Sequence, residues 1–294
     1  MSYTPVSMSL KEQFQTCWNA TPQHSIDYTL ANLWGWGPYF GLEWEFDGAL
    51  CWLRQTRPAP MRWAPLGDWT AVDWAADPVL ARGGMFIRVP EMLARIWKDA
   101  LGERVQVDEA RGHWEYLYRR DNLVTLPGKK LHKKKTHVNG YIKEYGTPDY
   151  RPLDSEAGIE DVLELQDEWC QWHECADSGS LRAENEAINR VLAHWDEIPG
   201  LVGGALYIEG RIAAFSVGER LDDSTLGVHY EKGRTAVRGV YQTMNRCFAE
   251  AAGEGFVLLN RAQDLDEEGL RHAKMSYEPA DFLRKYAVRV APAV

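Results

Sequence analysis

The order of extended and helical segments in the C-terminal half constrains the fold more than any other feature of this sequence. Three extended segments follow one another across short turns, and they are "LVGGALYIE", "RIAAFSVGE" and "STLGVHYE". Segments spaced in this way are typical of an antiparallel meander. The next segment, "GVYQTMNRCFAEAAGEG", has apolar residues at helical spacing and ends at a glycine, and the short apolar "FVLLN" after it predicts a buried strand.

Further helices and strands surround this meander. Two helices are predicted before it, at "IEDVLELQDEWCQWH" and "AENEAINRVLAHW", and a helix and a last strand after it, at "DEEGLRHAKMSY" and "YAVRV". The N-terminal half has similar pieces: helices near "SIDYTLANLW" and "PEMLARIWKDAL", a hairpin at "FGLEWEFDGALCWLRQ", and strands "RVQVDE" and "WEYLYRR". We therefore predict an α+β protein with mixed, mostly antiparallel sheets flanked by helices. The two expected domains are residues 1–145, ending in a basic helix, and residues 146–294.

Composition places the chain among ordinary globular proteins. Apolar residues make up 45% and charged residues 26%, which excludes disordered and fibrous classes. The N-terminus lacks a basic segment followed by an apolar stretch, and no stretch reaches the roughly 20 apolar residues of a membrane span. Five cysteines at irregular spacing suit a reducing compartment. We therefore expect a cytoplasmic protein without a transmembrane segment.

The cysteine-containing stretch "CQWHEC" and the high tryptophan content both have structural explanations. The stretch "CQWHEC" holds Cys170, His173 and Cys175 but lacks a second pair of ligands, so a helix face explains it better than zinc, and no metal is assigned. Thirteen tryptophans predict large buried aromatic clusters rather than a flat-walled pocket. The glycine-rich loops of nucleotide-hydrolases and dinucleotide-binding enzymes and the nucleophile elbow of hydrolases are missing.

A basic stretch, "LPGKKLHKKKTH", interrupts a chain whose net charge is −10. Helical spacing puts Leu131, Val138, Ile142 and Tyr145 on one side of a helix. On the other side lie mostly Lys130, Lys133, Lys134 and His137. Because an acidic protein repels nucleic acid at long range, we expect no DNA partner, and an RNA partner would need this local patch. The patch predicts phosphate binding, with a solvated helix face as the alternative, and its lysines are Lys129, Lys130, Lys133, Lys134 and Lys135.

The order of elements resembles the Gcn5-related N-acetyltransferase (GNAT) fold. In that fold, backbone amides at a helix N-terminus bind the pyrophosphate of the acyl donor. The segment Arg238-Gly239-Val240-Tyr241 resembles the Arg-Gly-x-Gly turn of that site, but Tyr241 replaces the last glycine and crowds the backbone where phosphates approach. Arg234 and Arg238 flank the turn, where they would bind phosphate or remain solvent-facing loop charges.

A closer resemblance covers most of residues 116–286. The stretches "GKKLHKKKTH" and "GLRHAKMSY" are similar to a bacterial family related to the C-terminal domain of phosphatidylglycerol lysyltransferases. The resemblance implies two tandem acetyltransferase-like domains, an aminoacyl-tRNA donor, and a lipid headgroup or peptide amine as acceptor. The long membrane-spanning N-terminal region of the lipid-modifying enzymes is missing, which makes a phospholipid acceptor less expected. The usual Asn-Arg-Glu-Glu-Asp stretch is Asn260-Arg261-Ala262-Gln263-Asp264 here, without either glutamate.

Four residues are candidates for the chemistry. His229 and Glu231 alternate on one predicted strand, so either is a candidate base for an acceptor amine, with a structural role as the alternative. Lys274 and Tyr277 are candidate donors to an oxyanion or phosphate, or Lys274 instead pairs with Glu278. We also expect His229 and Glu231 to border the largest cleft of the C-terminal domain.

Two functions remain open from the sequence. The first is a soluble acyltransferase that takes an aminoacyl group from tRNA, or an acyl group from coenzyme A, and transfers it to a small-molecule or peptide acceptor through an amine or hydroxyl. No cofactor is required in that case, and acyl-CoA is the alternative donor. The second is a non-catalytic GNAT-fold module that binds RNA or another polyanion.

Overall fold

A computed structural model describes residues 2–293, which form two compact units. The first unit contains the chain up to Glu115, a short return segment at Gln263–Glu267, and the chain from Leu283 onward. The second contains Tyr116–Ala262 and Glu268–Phe282. This division differs from the predicted one after residue 145, because the basic helix packs within the second unit.

The helices and strands are as follows. The helices are α1 Lys11–Ala20, α2 Leu30–Phe40, α3 Pro78–Ala81, α4 Glu91–Leu101, α5 Arg120–Thr125, α6 His132–Tyr145, α7 Glu156–Trp172, α8 Gly179–Leu192, α9 Val240–Ala251 and α10 Glu268–Met275. The strands are β1 Thr4–Pro5, β2 Leu42–Asp47, β3 Leu50–Gln55, β4 Met61–Trp63, β5 Gly84–Pro90, β6 Val105–Glu109, β7 Glu115–Arg119, β8 Asp149–Pro152, β9 Leu201–Ile208, β10 Arg211–Arg220, β11 Thr225–Gly233, β12 Leu258–Asn260, β13 Asp281–Leu283 and β14 Lys285–Val290.

Side-chain caps fix where several helices begin. Ser155 precedes α7 and accepts a hydrogen bond from the Gly158 amide. Ser178 precedes α8 and accepts one from the Leu181 amide. These hydroxyls satisfy amide groups that have no partner inside the helix, which is why serine is favoured at such positions.

The first unit is built on a seven-stranded sheet in the order β1-β2-β3-β4-β5-β14-β6. The pair β4–β5 is parallel, and the other described pairs are antiparallel. The predicted packing role of tryptophan is confirmed here, since the buried Trp74 ring lies 6.3 Å from Trp52 and 5.6 Å from Trp97 between ring centres, and both neighbours are buried too. Edge contacts between such rings add to the stabilisation from their burial.

A cluster of opposite charges is buried inside the first unit. Lys285, on β14, donates to Glu115 at 2.7 Å and also to Asp27, and all three side chains are essentially inaccessible. Arg88 donates to Asp27 at 2.5 Å. Burial alone would raise the pKa of Asp27, but the charges of Arg88 and Lys285 lower it strongly. Asp27 is therefore ionised, and it is paired with Arg88 and Lys285 as a buried charge must be.

The second unit has a seven-stranded sheet in the order β13-β7-β12-β11-β10-β9-β8. The predicted meander is present as β9, β10 and β11, which pair antiparallel, and β11 pairs parallel with β12. Both sheets are therefore mixed and mostly antiparallel, and the α+β class predicted from the sequence is confirmed. Two strands were assigned to the wrong domain: "WEYLYRR" contributes β7 to the second sheet, and "YAVRV" contributes β14 to the first.

A disulfide that we did not predict from the sequence joins Cys170, near the end of α7, to Cys175, just after it. After α7 ends at Trp172, Glu174 adopts a left-handed conformation at φ 50°, and the turn brings the Cα atoms of Cys170 and Cys175 to 5.0 Å, where the two sulfurs are bonded. The irregular spacing of the five cysteines had favoured reduced thiols and did not indicate this local pair. His173 stacks on the Trp169 ring at 3.8 Å between ring centres.

The described residues form neither a membrane-spanning helix nor a metal cluster. Among residues 2–293, every helix is too short or too polar to cross a bilayer. Within the same residues, His, Cys, Asp and Glu side chains form no group of three or more arranged to hold a metal ion.

Candidate active site

Strands β11 and β12 separate in the middle of the second sheet. Their parallel pairing covers three residue pairs and ends where Gly227 lies beside Asn260, whereas β11 continues to Gly233. The chain leaves β12 at this point, and its next residue is Arg261. Beyond Gly227, the edge of β11 that faces β12 has no paired strand, although its other edge still pairs with β10. Side chains occupy the space beside this edge and form a polar cluster.

Arg261 is the centre of that cluster. Its guanidinium lies 3.3 Å from the Glu231 carboxylate of β11, and both side chains are 15% exposed. With its amide oxygen turned toward the guanidinium, Asn245 of α9 accepts from Arg261 at 3.1 to 3.2 Å. Burial alone would lower the pKa of Arg261, but the Glu231 charge and the neighbouring tyrosines Tyr277 and Tyr118 raise it. The arginine thus holds Glu231 in place within hydrogen-bonding reach.

Tyr277 lies next to Arg261 and beneath a lysine of the basic helix. Arg261 Cζ is 4.9 Å from the Tyr277 ring centre, and Lys134 Nζ is 4.3 Å from it, both within the range of cation–π contacts. Burial raises the pKa of Tyr277 to about 12, so its hydroxyl keeps its proton at neutral pH. Burial and the charge of Arg261 lower the pKa of the Lys134 amine.

Lys274 contacts the backbone of Arg261 and a tyrosine of the sheet. Its ammonium donates to the carbonyl of Arg261, and its own carbonyl accepts from the Tyr118 hydroxyl at 2.8 Å. The alternative pairing of Lys274 with Glu278 is not formed, because Glu278 binds Lys130 at 2.7 Å. Lys274 therefore holds the backbone of Arg261 and links α10 to the sheet.

His229 is held by a different carboxylate. Its Nε2 lies 3.0 Å from Glu219 of β10, and the two side chains are 3% and 7% exposed. Glu231, two residues further along β11, contacts Arg261 instead. The two candidate bases predicted on this strand therefore have separate partners, and Glu231 is the more accessible of the two.

The predicted phosphate turn packs against the basic helix. Gly239 has φ 77°, and a Cβ there would come within 2.4 Å of the His137 carbonyl oxygen of α6. The Tyr241 hydroxyl donates to the Gly233 carbonyl at 3.1 Å and receives the Trp169 indole N–H at 3.4 Å. Glycine at 239 is therefore required by the close approach of α6, and the tyrosine in place of the family glycine is fixed to the end of β11.

This packing leads to a stability prediction for Gly239. Gly239→Ala is expected to cost ~1–2 kcal/mol for left-handed backbone and a further ~1–3 kcal/mol for displacing α6. Gly210 is a matched control, since its φ is 79° and nothing lies within 4 Å of its Cβ position. Chemical denaturation should therefore give a clearly larger loss for Gly239→Ala than for Gly210→Ala, and equal losses would contradict the packing explanation.

The two arginines that flank the turn have different environments. Arg234 is paired with Glu168, donates to the Ile212 carbonyl at 2.7 Å and lies over the Trp172 ring. Arg238 is exposed. Arg234 is therefore committed to contacts within the protein, and Arg238 is the residue of this pair that a phosphate could reach.

The basic helix divides its lysines between two roles. Lys134 shares a face with Val138 and Tyr141, both of which are buried, so it points toward Tyr277 rather than to solvent. The helical prediction had placed Lys134 on the outer side. The remaining lysines of the patch are exposed, and they are Lys129, Lys130, Lys133 and Lys135.

The structure thus brings together part of the predicted site and adds residues to it. Glu231 and Tyr277 meet, with Arg261, Asn245 and Lys134 as members that the sequence had not assigned to the chemistry. The arginine of the "NRAQD" stretch was the available signal, because an arginine directly after a buried strand needs an acidic partner. A cavity of about 390 Å³ in this unit is lined by other residues than His229 and Glu231, and the cleft expected beside these two stays a prediction.

Comparison with known proteins identifies the family. Residues 18–289 match the family described as phosphatidylglycerol lysyltransferase, C-terminal. The chain belongs to this family. A curated relative of the phosphatidylglycerol lysyltransferase C-terminal chain, an uncharacterized protein of Mycoplasmoides gallisepticum, is 26% identical over 176 residues, 60% of this chain. The match spans 56% of that relative's length.

Solved structures share the fold over nearly the whole chain. A conserved protein of unknown function from Bacteroides thetaiotaomicron has a TM-score of 0.88 and 26% identity, with 99% of each chain covered. The C-terminal domain of a putative lysylphosphatidylglycerol synthetase from Agrobacterium fabrum has a TM-score of 0.65 at 12% identity, covering 96% of this chain and 92% of that one. L-PGS from Bacillus licheniformis has a TM-score of 0.63 at 12% identity, covering 95% and 91%.

Proposed function

We propose that this protein transfers an aminoacyl group from tRNA to an amine or hydroxyl of a small-molecule or peptide acceptor. The observation that carries the proposal is the meeting of Glu231, Arg261 and Tyr277 where β11 and β12 separate. Membership of the lysyltransferase C-terminal family supports acyl transfer as the reaction class. The family name and the names of two of the similar structures mention lysyl transfer or lysylphosphatidylglycerol, and for this chain the acceptor class is our proposal.

Aminoacyl transfer needs a base for the acceptor, a proton donor for the leaving oxygen, and positive charge beside the carbonyl oxygen of the acyl ester. Glu231 would accept the proton of the acceptor nucleophile as that atom attacks the ester carbonyl carbon. The new acyl bond forms as the bond to the tRNA ribose oxygen breaks, and the Tyr277 hydroxyl would supply the proton to that leaving oxygen. Arg261 and the Lys134 ammonium lie beside the same tyrosine and would stabilise negative charge on the carbonyl oxygen. His229 and Lys274 serve as positioning residues in this scheme.

The exposed lysines at the start of α6 and in the turn before it support a polyanionic donor. They would contact the tRNA backbone, with Arg238 and the turn at Gly239, directly before α9, as further phosphate contacts. Acyl-CoA is the alternative donor, and no other cofactor is needed for either route. Because charged tRNA is a cytoplasmic molecule, we place the reaction in the cytoplasm.

Binding of tRNA should depend steeply on salt. We expect total tRNA to bind with a log–log salt slope of about −3 to −4, from four or five phosphate contacts. Replacing Lys129, Lys133 and Lys135 with alanine should make the slope shallower by roughly 2 to 3. Fluorescence anisotropy at several salt concentrations measures both.

Lys134→Met is the internal control for this experiment. Its ammonium lies over the Tyr277 ring rather than in solvent, so the slope should stay near the wild-type value. Absence of binding at low salt, or an unchanged slope in the triple variant, would rule out the exposed lysines as the tRNA contact.

A further inference from the structure

Arg261, at the centre of the proposed transfer site, is followed by a residue with a strained backbone. Ala262 has φ 53°, in the left-handed region that residues with a Cβ rarely adopt. Glycine adopts this conformation without strain, but the chain has alanine here. Strained residues of this kind are concentrated at functional sites and persist where the surrounding contacts fix them. The contacts that fix Ala262 therefore also affect where the Arg261 side chain points.

Four hydrogen bonds hold the backbone of Arg261 and Ala262. The Arg261 amide donates to the Tyr116 carbonyl at 2.9 Å, and the Tyr116 amide donates to the Ala262 carbonyl at 3.1 Å. The Arg261 carbonyl accepts from the Lys274 ammonium. The Ala262 amide donates to the side-chain oxygen of Asn260 at 3.0 Å. Each backbone polar group of the two residues thus has a partner, which is how a strained conformation is maintained.

Asn260 makes the bond that acts within the turn itself. It is the last residue of β12, and it is completely buried. An asparagine that accepts from the amide two residues later forms an Asx turn, which stabilises a bend of the chain. This bend directly follows the last pairing of β12 with β11, where Asn260 lies beside Gly227. Arg261 lies in the bend, and its guanidinium reaches Glu231 at 3.3 Å.

We propose that Asn260 is a positioning residue of the transfer site: its side chain holds Ala262 in the left-handed conformation and so directs the Arg261 guanidinium toward Glu231. The inference rests on the proposed function, in which Arg261 holds Glu231 and stabilises the carbonyl oxygen. Without the bond from Asn260, the left-handed backbone of Ala262 is disfavoured and the bend relaxes. Glycine at 262 would keep the bend without that bond, because it has no Cβ.

Loss and recovery of transfer test this role. Asn260→Ala should lower the single-turnover rate of transfer from charged tRNA about tenfold, as left-handed backbone becomes unfavourable at an alanine. The affinity for tRNA should not change, because its proposed contacts are elsewhere. Adding Ala262→Gly should restore the rate to within about threefold of the wild type. No loss in Asn260→Ala, or no recovery in the double variant, would overturn the proposal.

Two further variants separate positioning from general stability. Glu209 has φ 50° in the exposed turn between β9 and β10, so Glu209→Gly relieves the same kind of strain outside the site. Combined with Asn260→Ala, it should leave transfer slow, and recovery equal to that with Ala262→Gly would contradict the proposal. Ala262→Val keeps Asn260 and should slow transfer at least as much as Asn260→Ala, because a β-branched residue is strongly disfavoured in left-handed backbone. A wild-type rate in this variant would also contradict it.

Nitrogen NMR of the arginine side chains gives a readout that does not depend on transfer. With the Asn245 amide oxygen turned toward it, the Arg261 Nε–H is bonded at 3.2 Å, so its proton should exchange slowly with water. The resonance is assigned by its loss in Arg261→Lys. Exchange should become faster in Asn260→Ala and slow again when Ala262→Gly is added. This result without any transfer would refute the proposed function alone, whereas unchanged exchange in Asn260→Ala would refute the role of Asn260.

Discussion

Replacing Lys285 with methionine is expected to lower the free energy of unfolding of the first unit by ~3–5 kcal/mol. Lys285 is completely buried and donates to Glu115 and Asp27, which are 0% and 1% exposed. Methionine would leave two carboxylates with Arg88 as the cation that remains bonded to Asp27. The excess negative charge cannot reach water, so the folded state bears the cost.

Urea denaturation followed by tryptophan fluorescence measures this loss. Trp169, Trp172 and Trp195 lie in the second unit and the other ten of the thirteen tryptophans in the first, so the signal reports mainly on the first unit. The double variant Lys285→Met, Glu115→Gln removes one charge of each sign and should recover a substantial part of the loss. A loss below about 1 kcal/mol in the single variant would show that the pairing is not what stabilises this core.

Replacing Glu231 with glutamine is expected to reduce acyl transfer by about 10² to 10⁴. Glutamine keeps the shape and can still bond to Arg261, but it cannot accept the proton of the acceptor nucleophile. The donor should still bind, because its proposed contacts are on α6 and at the turn before α9. Single-turnover transfer and tRNA binding, measured on the same preparation, separate the two effects.

Glu278→Gln is the matched control for that substitution. Glu278 lies one residue after Tyr277, and its carboxylate pairs with exposed Lys130 at the surface. Loss of this pair should leave transfer nearly unchanged, since exposed ion pairs contribute little. If Glu231→Gln transferred as fast as Glu278→Gln, Glu231 would have no role as a base.

Local patterns predicted the elements of the second unit well. The alternation in "RIAAFSVGE" and the helical spacing of "GVYQTMNRCFAEAAGEG" correspond to β10 and α9, because one face of each must be apolar to pack. Tyr241 was expected to crowd the turn, and it is fixed there by the Gly233 carbonyl. Helices, strands and turn residues depend mainly on residues close by in the sequence, so the sequence pattern alone can predict them.

Partners that are distant in sequence could not be predicted. β14 pairs with β5 and β6, and nothing within "YAVRV" indicates that destination rather than the second sheet. Helical spacing placed Lys134 with the outer lysines, but the face of the Tyr277 ring attracts its ammonium to an inner position. Arg261 was visible in the sequence, yet its partner Glu231 is 30 residues away. The positions of β14, Lys134 and Arg261 depend on contacts with residues far away in the sequence, which local patterns do not show.

Transfer of a labelled acyl group tests the central claim most directly. The protein is incubated with tRNA charged with labelled amino acids, in the presence of the small-molecule and peptide fraction of a bacterial extract, and in parallel with labelled acyl-CoA. We predict that label leaves the tRNA and appears in a stable acceptor, and that Glu231→Gln abolishes this transfer without abolishing tRNA binding. Label that stays on protein-bound tRNA, with no transfer from either donor, would contradict the account and identify a polyanion-binding module.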